Sequence, residues 1–91
     1  MEIRVSRKAR KQLITCPGYI QTKFKYWKDL ISYVGQRKVR MYKGFHDEPL
    51  KGDRWGQRSV RLSKAYRIIY REVGDSDLEI IEVLEVNKHD Y

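Results

Sequence analysis

Hydrophobic residues recur along the chain at two periods, and the change from one to the other divides it into a helical first half and a stranded second half. Glu2–Val5 alternates polar and apolar residues and reads as a short first strand. Ser6 is placed to cap a helix through residues 7–13, where Ala9, Leu13 and Cys16 fall at helical spacing before Pro17-Gly18 stops it. The second helix is plainer. Ile20, Phe24, Trp27, Ile31 and Val34 are spaced 4, 3, 4 and 3 apart and form one continuous apolar stripe, with Lys23, Lys25, Lys28 and Asp29 off it. Two endings stay open at this point: the helix stops at Gly35, or it runs on through Val39 and Tyr42.

From Gly44 to Gly56, Pro49, three glycines and two aspartates mark a loop. Three strand-like runs follow. Residues 57–63 alternate, with Val60 and Leu62 on one face and Ser59, Arg61 and Ser63 on the other. Residues 66–73 are rich in aromatic and β-branched side chains, Gly74-Asp75-Ser76-Asp77 is a turn, and residues 78–86 form the last apolar run. The order β-α-α-β-β-β predicts an α+β fold, with two N-terminal helices packed on one face of a small antiparallel sheet.

At 91 residues the chain is expected to form a single domain spanning 1–91, with one modest core. No apolar run approaches a membrane span, and the N-terminus, charged from its second residue, carries no signal-peptide core. One cysteine, Cys16, and two distant histidines, His46 and His89, make neither a disulfide framework nor a zinc-ligand pattern. These features predict a reduced, cytoplasmic protein with no metal, no other cofactor and no membrane partner. Charge changes the picture further. The net charge of +8 hides an asymmetry: residues 1–71 hold 19 basic and 5 acidic residues, and residues 72–91 hold 1 and 7. So positive a body favours a polyanion such as RNA, and an acidic neutralising protein almost as readily.

Three groups carry candidate chemistry. Glu48 stands in a loop just before the sheet, Arg61 and Arg67 stand in adjacent strands, and His89 and Tyr91 close the chain. A carboxylate can take the proton of a 2′-hydroxyl, a histidine can protonate a departing 5′-oxygen, and arginine stabilises charge building on the phosphate. Each residue also has an ordinary role. A loop Glu is usually a solvated charge, Arg61 and Arg67 would pair with Glu79 or Glu82, and a terminal His-Asp-Tyr frays. Trp55 caps an edge of the core or stacks on a base, packing being the commoner role, and Tyr66 and Tyr70 read as packing residues.

The residues Glu48-Pro49-Leu50-Lys51-Gly52, Gly56, Arg58-Ser59-Val60-Arg61-Leu62-Ser63, Tyr66-Arg67-Ile68-Ile69-Tyr70 and His89-Asp90-Tyr91 together resemble the RelE/ParE superfamily of bacterial toxins. The likeness covers residues 44–91 and is nearest to the YoeB-like and HigB-like branches. It implies the RelE-like microbial RNase fold and ribosome-dependent cleavage of mRNA in the A site, leaving 2′,3′-cyclic phosphate and 5′-hydroxyl ends. It also implies a cognate antitoxin as inhibitor. Residue by residue, the resemblance makes Glu48 the general base, Arg67 a catalytic phosphate ligand and His89 the general acid. Lys51, Arg58 and Arg61 become substrate-binding groups. One departure matters: the YoeB-like ending is His followed directly by Tyr, whereas here Asp90 intervenes, and Asp90-Tyr91 resembles the Asp-Tyr of HigB-like endings. Two assignments stay open, His89 as the acid or Asp90 and Tyr91 carrying part of that role. Two other classes remain on this reading, a ParE-like inhibitor of DNA gyrase and a non-catalytic RNA- or protein-binding module on the same scaffold.

Overall fold

The computed structural model describes residues 2–74 and 79–88. The chain runs β1 (Glu2–Val5), α1 (Arg7–Thr15), α2 (Gly18–Val34), α3 (Gln36–Val39), β2 (Glu48–Pro49), β3 (Gln57–Arg61), β4 (Tyr66–Glu72) and β5 (Ile80–Lys88). Single 3₁₀ turns at Lys43–Phe45 and Gly52–Arg54 flank β2. The expected turn at residues 75–77, the start of the last run at Leu78, and His89, Asp90 and Tyr91 lie outside the described residues.

The α+β architecture is as the periodicities predict, but the sheet is mixed rather than wholly antiparallel. Its spatial order is β1-β5-β4-β3-β2, with β1 parallel to β5 and the remaining pairs antiparallel. The chain enters at one edge, crosses through the helices and lays its last strand beside its first. Two elements exceed the expected order, the short helix α3 and the two-residue edge strand β2.

Both helix starts have local causes. The Ser6 side chain accepts from the Ala9 N–H at 3.0 Å, which satisfies one of the open donors of α1. Pro17 precedes α2, where its missing N–H costs the helix nothing. The helix then ends at Gly35, whose φ of 89° and ψ of 150° lie in a region that essentially only glycine occupies. The chain bends there and α3 begins, which resolves the open ending in favour of a stop. Val39 is nonetheless buried and Tyr42 half-exposed, because α3 continues to feed the same core.

The stripe Ile20, Phe24, Trp27 and Ile31 is buried against Val60, Leu62, Ile68, Tyr70, Ile81, Val83 and Val86 from the sheet. Trp27 sits at its centre, with ring centroids 5.4 Å from Tyr70 and 6.1 Å from Phe24. Along β5 the buried residues are Ile81, Val83 and Val86, a break in strict alternation that matches the register shift between Ile69 and Tyr70 on β4. A bulge of this kind leaves backbone groups off the ladder. Here α1 takes them: the Ser6 hydroxyl donates to the Leu84 carbonyl at 3.0 Å, and the Val86 N–H donates to Gln12 Oε1 at 2.8 Å.

Gly35→Ala should therefore lower stability by about 1–3 kcal/mol in urea denaturation. No atom lies within 4 Å of the added methyl, so this cost is purely backbone. Gly18→Ala at the first position of α2, with the same open space and no positive φ, should be neutral or slightly stabilising.

Candidate functional site

The sheet face turned away from α2 is where the charged candidates gather. Residues paired directly across neighbouring strands share a face, so the register lays out three rows on it. The first row is Glu48, Ser59, Ile69 and Glu85; the second is Arg61, Arg67 and Asn87; the third is Gln57, Arg71 and Glu82. Arg61 stands directly opposite Arg67. Glu48 is diagonal to Arg61, at about 7–8 Å between backbones, a span their side chains can close around a single anionic group.

The ion pairs on this face sort its charges. Arg71 Nη2 meets Glu82 at 2.9 Å. Glu85 is held by Arg54 at 2.5 Å and by Lys8 at 3.2 Å, and Asn87 donates to it at 3.1 Å. Burial alone would raise the Glu85 pKa, but the hydrogen bonds from Asn87, Arg54 and Lys8 outweigh it and bring the value down to about 2. A carboxylate so acidic is a poor proton acceptor near neutrality. Glu48, Arg61 and Arg67 have no such partners among the described residues. Arg61 and Arg67 leave Glu82 to Arg71, contrary to the ordinary expectation for strand arginines. Two guanidinium groups facing each other across a strand pair destabilise the sheet unless an anion joins them.

Glu48 is exposed at the sheet edge, and its place follows from its neighbour. His46 turns the chain with a left-handed φ of 45°, and the strand alternation then sends Asp47 to the helix side and Glu48 to the open side. The Asp47 side chain is only 2% exposed. Arg58 Nε donates to its Oδ1 at 2.6 Å and the Tyr70 hydroxyl to its Oδ2 at 2.5 Å. Gln36 Nε2 donates to that hydroxyl at 2.8 Å, and Arg40 Nη2 donates to Gln36 at 2.9 Å and to Glu72 at 2.6 Å. Burial and the Asp47 carboxylate push the Tyr70 pKa far up, against the Gln36 hydrogen bond. Burial works against the Arg58 charge, but the hydrogen bond and charge of Asp47 more than compensate and raise its pKa.

The structure thus brings together Glu48, Arg61 and Arg67 from the expected set. Lys51 stands exposed on the loop that follows β2. Arg58 does not join them, contrary to its expected role: it pairs with Pro49 and Tyr70 across the strands, faces the helix side, and is committed to Asp47. Trp55 also departs from expectation, since at 84% exposure it packs no core edge. Sequence reading missed Asp47, Arg54 and Glu85, and the ion pair that Lys8 makes with Glu85. A signal for the first existed, because a tyrosine that follows two isoleucines at the apolar centre of a strand needs a partner for its hydroxyl.

A five-stranded mixed sheet backed on one face by three helices is an α+β fold that this chain shares with small RelE/ParE-type toxins of solved structure. Solved structures of those proteins superimpose on it over nearly its whole length. The YoeB/ParE toxin from Agrobacterium tumefaciens matches at a TM-score of 0.70 and 23% identity, covering 99% of this chain and 100% of that one. YafQ from E. coli strain BL21(DE3) matches at 0.75 and 17%, covering 96% and 91%. The archaeal RelE–RelB complex from Pyrococcus horikoshii OT3 matches at 0.72 and 21%, covering 96% and 92%. No protein-family model matches the chain, and no curated protein matches it in sequence.

Tyr70→Phe should cost about 1–3 kcal/mol in urea denaturation, because it leaves a buried carboxylate short of a donor. Glu85→Gln should lower the melting temperature at pH 7. Since the folded-state pKa of Glu85 is depressed, its stabilisation is complete above the ordinary 4.5 and fades as pH falls towards 2, so the gap between wild type and variant should close over that interval.

Proposed function

We propose that this protein is the toxin of a type II toxin–antitoxin pair, a metal-independent endoribonuclease that cuts mRNA in the ribosomal A site. One observation carries the reading: on a face whose other acids are matched to cations, a carboxylate and two opposed arginines stand without charged partners among the described residues. That set suits an RNA phosphodiester, whose phosphate satisfies the arginines while its 2′-hydroxyl meets the carboxylate. Glu48 removes the 2′-hydroxyl proton, and the oxygen attacks the adjacent phosphorus. Arg67, with Arg61 and Lys51, holds the phosphate as negative charge builds on it. The bond from phosphorus to the 5′-oxygen breaks, and an acid returns a proton to that oxygen. The family resemblance assigns the acid to His89, with Asp90 and Tyr91, the two residues after it, as the other candidates for that role. β5 ends at Lys88, next to the Asn87 that pairs with Arg67.

The basic residues of α1 and α2, Lys8, Lys11, Lys25 and Lys28 among them, would contact ribosomal RNA. Such an association should weaken steeply between about 50 and 200 mM salt. A cognate antitoxin is the expected protein partner. An acidic, partly disordered chain that folds on binding suits a basic body, and the Pyrococcus relative is a complex with RelB. No helix among the described residues is long and apolar enough to cross a membrane.

The test is cleavage of a defined mRNA in EDTA, with and without programmed ribosomes. Cuts should fall at codon positions only where ribosomes are present, with 2′,3′-cyclic phosphate and 5′-hydroxyl ends. Glu48→Gln and His89→Ala should each slow cleavage by about 10²–10⁴-fold. Arg61→Gln should also lose cleavage while its melting temperature holds or rises, because it removes a like-charge pair. Ends bearing 5′-phosphate, or a strict metal requirement, would overturn the mechanism. Absence of cleavage together with blocked DNA supercoiling would move the protein to the gyrase-inhibiting class.

A further inference from the structure

A groove of about 280 Å³ opens beside the arginine pair, between α2 and the turn that precedes β2. Lys23 and Tyr26 line it from α2, Tyr42 and Phe45 from the turn, and Arg61 and Leu62 from the end of β3. Its three rings form one surface. The Tyr42 and Phe45 centroids are 6.3 Å apart with planes at 30°, and those of Tyr26 and Phe45 are 6.2 Å apart at 35°. Phe45 packs against the core, whereas Tyr26 is 58% and Tyr42 43% exposed. Both tyrosines therefore keep part of their surface open to a ligand. Both charged groups lining the groove are cations, Lys23 and Arg61, and none is an acid.

We propose that this groove takes a nucleobase of the single-stranded RNA, one that flanks the phosphate held by Arg61 and Arg67; the proposal rests on the RNA-cleaving function argued above. Aromatic faces beside a positively charged track are the combination that binds single strands, because every base has a π-face and every linkage a negative charge. Arg61 belongs to both the groove and the arginine pair, so the base and the scissile phosphate are neighbours on one strand. The alternative groove by Trp55, of about 300 Å³, suits a polyanion less well. It contains Glu72, and its arginines, Arg40 and Arg58, are already bound to Glu72 and Asp47. The tyrosines thus act as a platform that seats the RNA, and Glu48 and Arg67 act on what it seats.

The experiment measures cleavage of mRNA on programmed ribosomes by wild type and the double variant Tyr26→Ala/Tyr42→Ala, with melting temperatures alongside. Each protein is given the intact message and a set carrying one abasic nucleotide at successive positions around the cut. The double variant should fold and show KM raised about tenfold. At one position an abasic nucleotide should cost wild type a similar factor and cost the double variant nothing more. A double variant that cleaves like wild type, or an abasic penalty equal in both proteins, would overturn the proposal. So would unchanged cleavage with lost binding of an acidic antitoxin peptide, which would give the groove to a protein. Wild type that cleaves no RNA would instead fail the functional reading, and the groove's assignment with it.

Discussion

The buried carboxylate of Asp47 holds the sheet edge on which the candidate base stands. β2 is two residues long, too short for ladder hydrogen bonds alone to hold it against β3. Asp47 supplies the missing restraint. Its two oxygens accept from Arg58 and Tyr70, which face each other on β3 and β4, and the chain of donors continues through Gln36 to Arg40 and Glu72. An ionised group so deeply placed is costly unless its partners are complete, and one broken link would leave a charge exposed to a nonpolar interior. The network therefore ties α3, β3 and β4 to the loop, and backbone alternation turns Glu48 outward as a consequence.

At the other side of the sheet, β5 organises the opposite half of the face. It lies between β1 and β4, and its bulge at Leu84 and Glu85 brings Glu85 to the open side while Val83 and Val86 remain in the core. The displaced backbone groups are taken up by Ser6 and Gln12, and Gln12 also donates to Asn87 at 2.9 Å. Because Glu85 anchors Lys8 and Arg54, positive charge is gathered from α1 and from the loop after β2 around one acid. The carboxylates at the two ends of one row thus do different work. Glu85 is a structural counter-ion, whereas Glu48 stands without a cation among the described residues.

The helix side and the open side of the sheet are built on opposing terms. On the helix side Trp27, Tyr70 and the aliphatic stripe bury large apolar surfaces, the dominant source of stability in so small a chain. On the open side Arg61 opposes Arg67, and at the sheet margin, between α2 and the turn before β2, two tyrosine rings remain partly uncovered. Such features cost folding free energy locally, and sites that bind anions commonly retain them at the expense of stability.

Much of this was legible in the residues themselves. The 3.6-residue stripe of α2 and the alternation of β3 specify their own buried faces, because periodicity is a local property of helix and strand. The motifs around Glu48, Arg67 and His89 carried the resemblance, and the fold agrees with it. What could not be read locally were relations between distant segments. That β1 lies parallel to β5, that Arg58 faces inward while Arg61 faces out, and that Asp47 rather than its neighbours is buried all depend on strand register. The role of Trp55 turned on exposure, and the groove of Tyr26, Tyr42 and Phe45 on the approach of α2 to a turn sixteen residues or more along the chain. Local pattern determines which faces are apolar; only the packed chain decides which polar groups meet across them, since hydrogen bonds and ion pairs form between side chains that sequence order keeps apart.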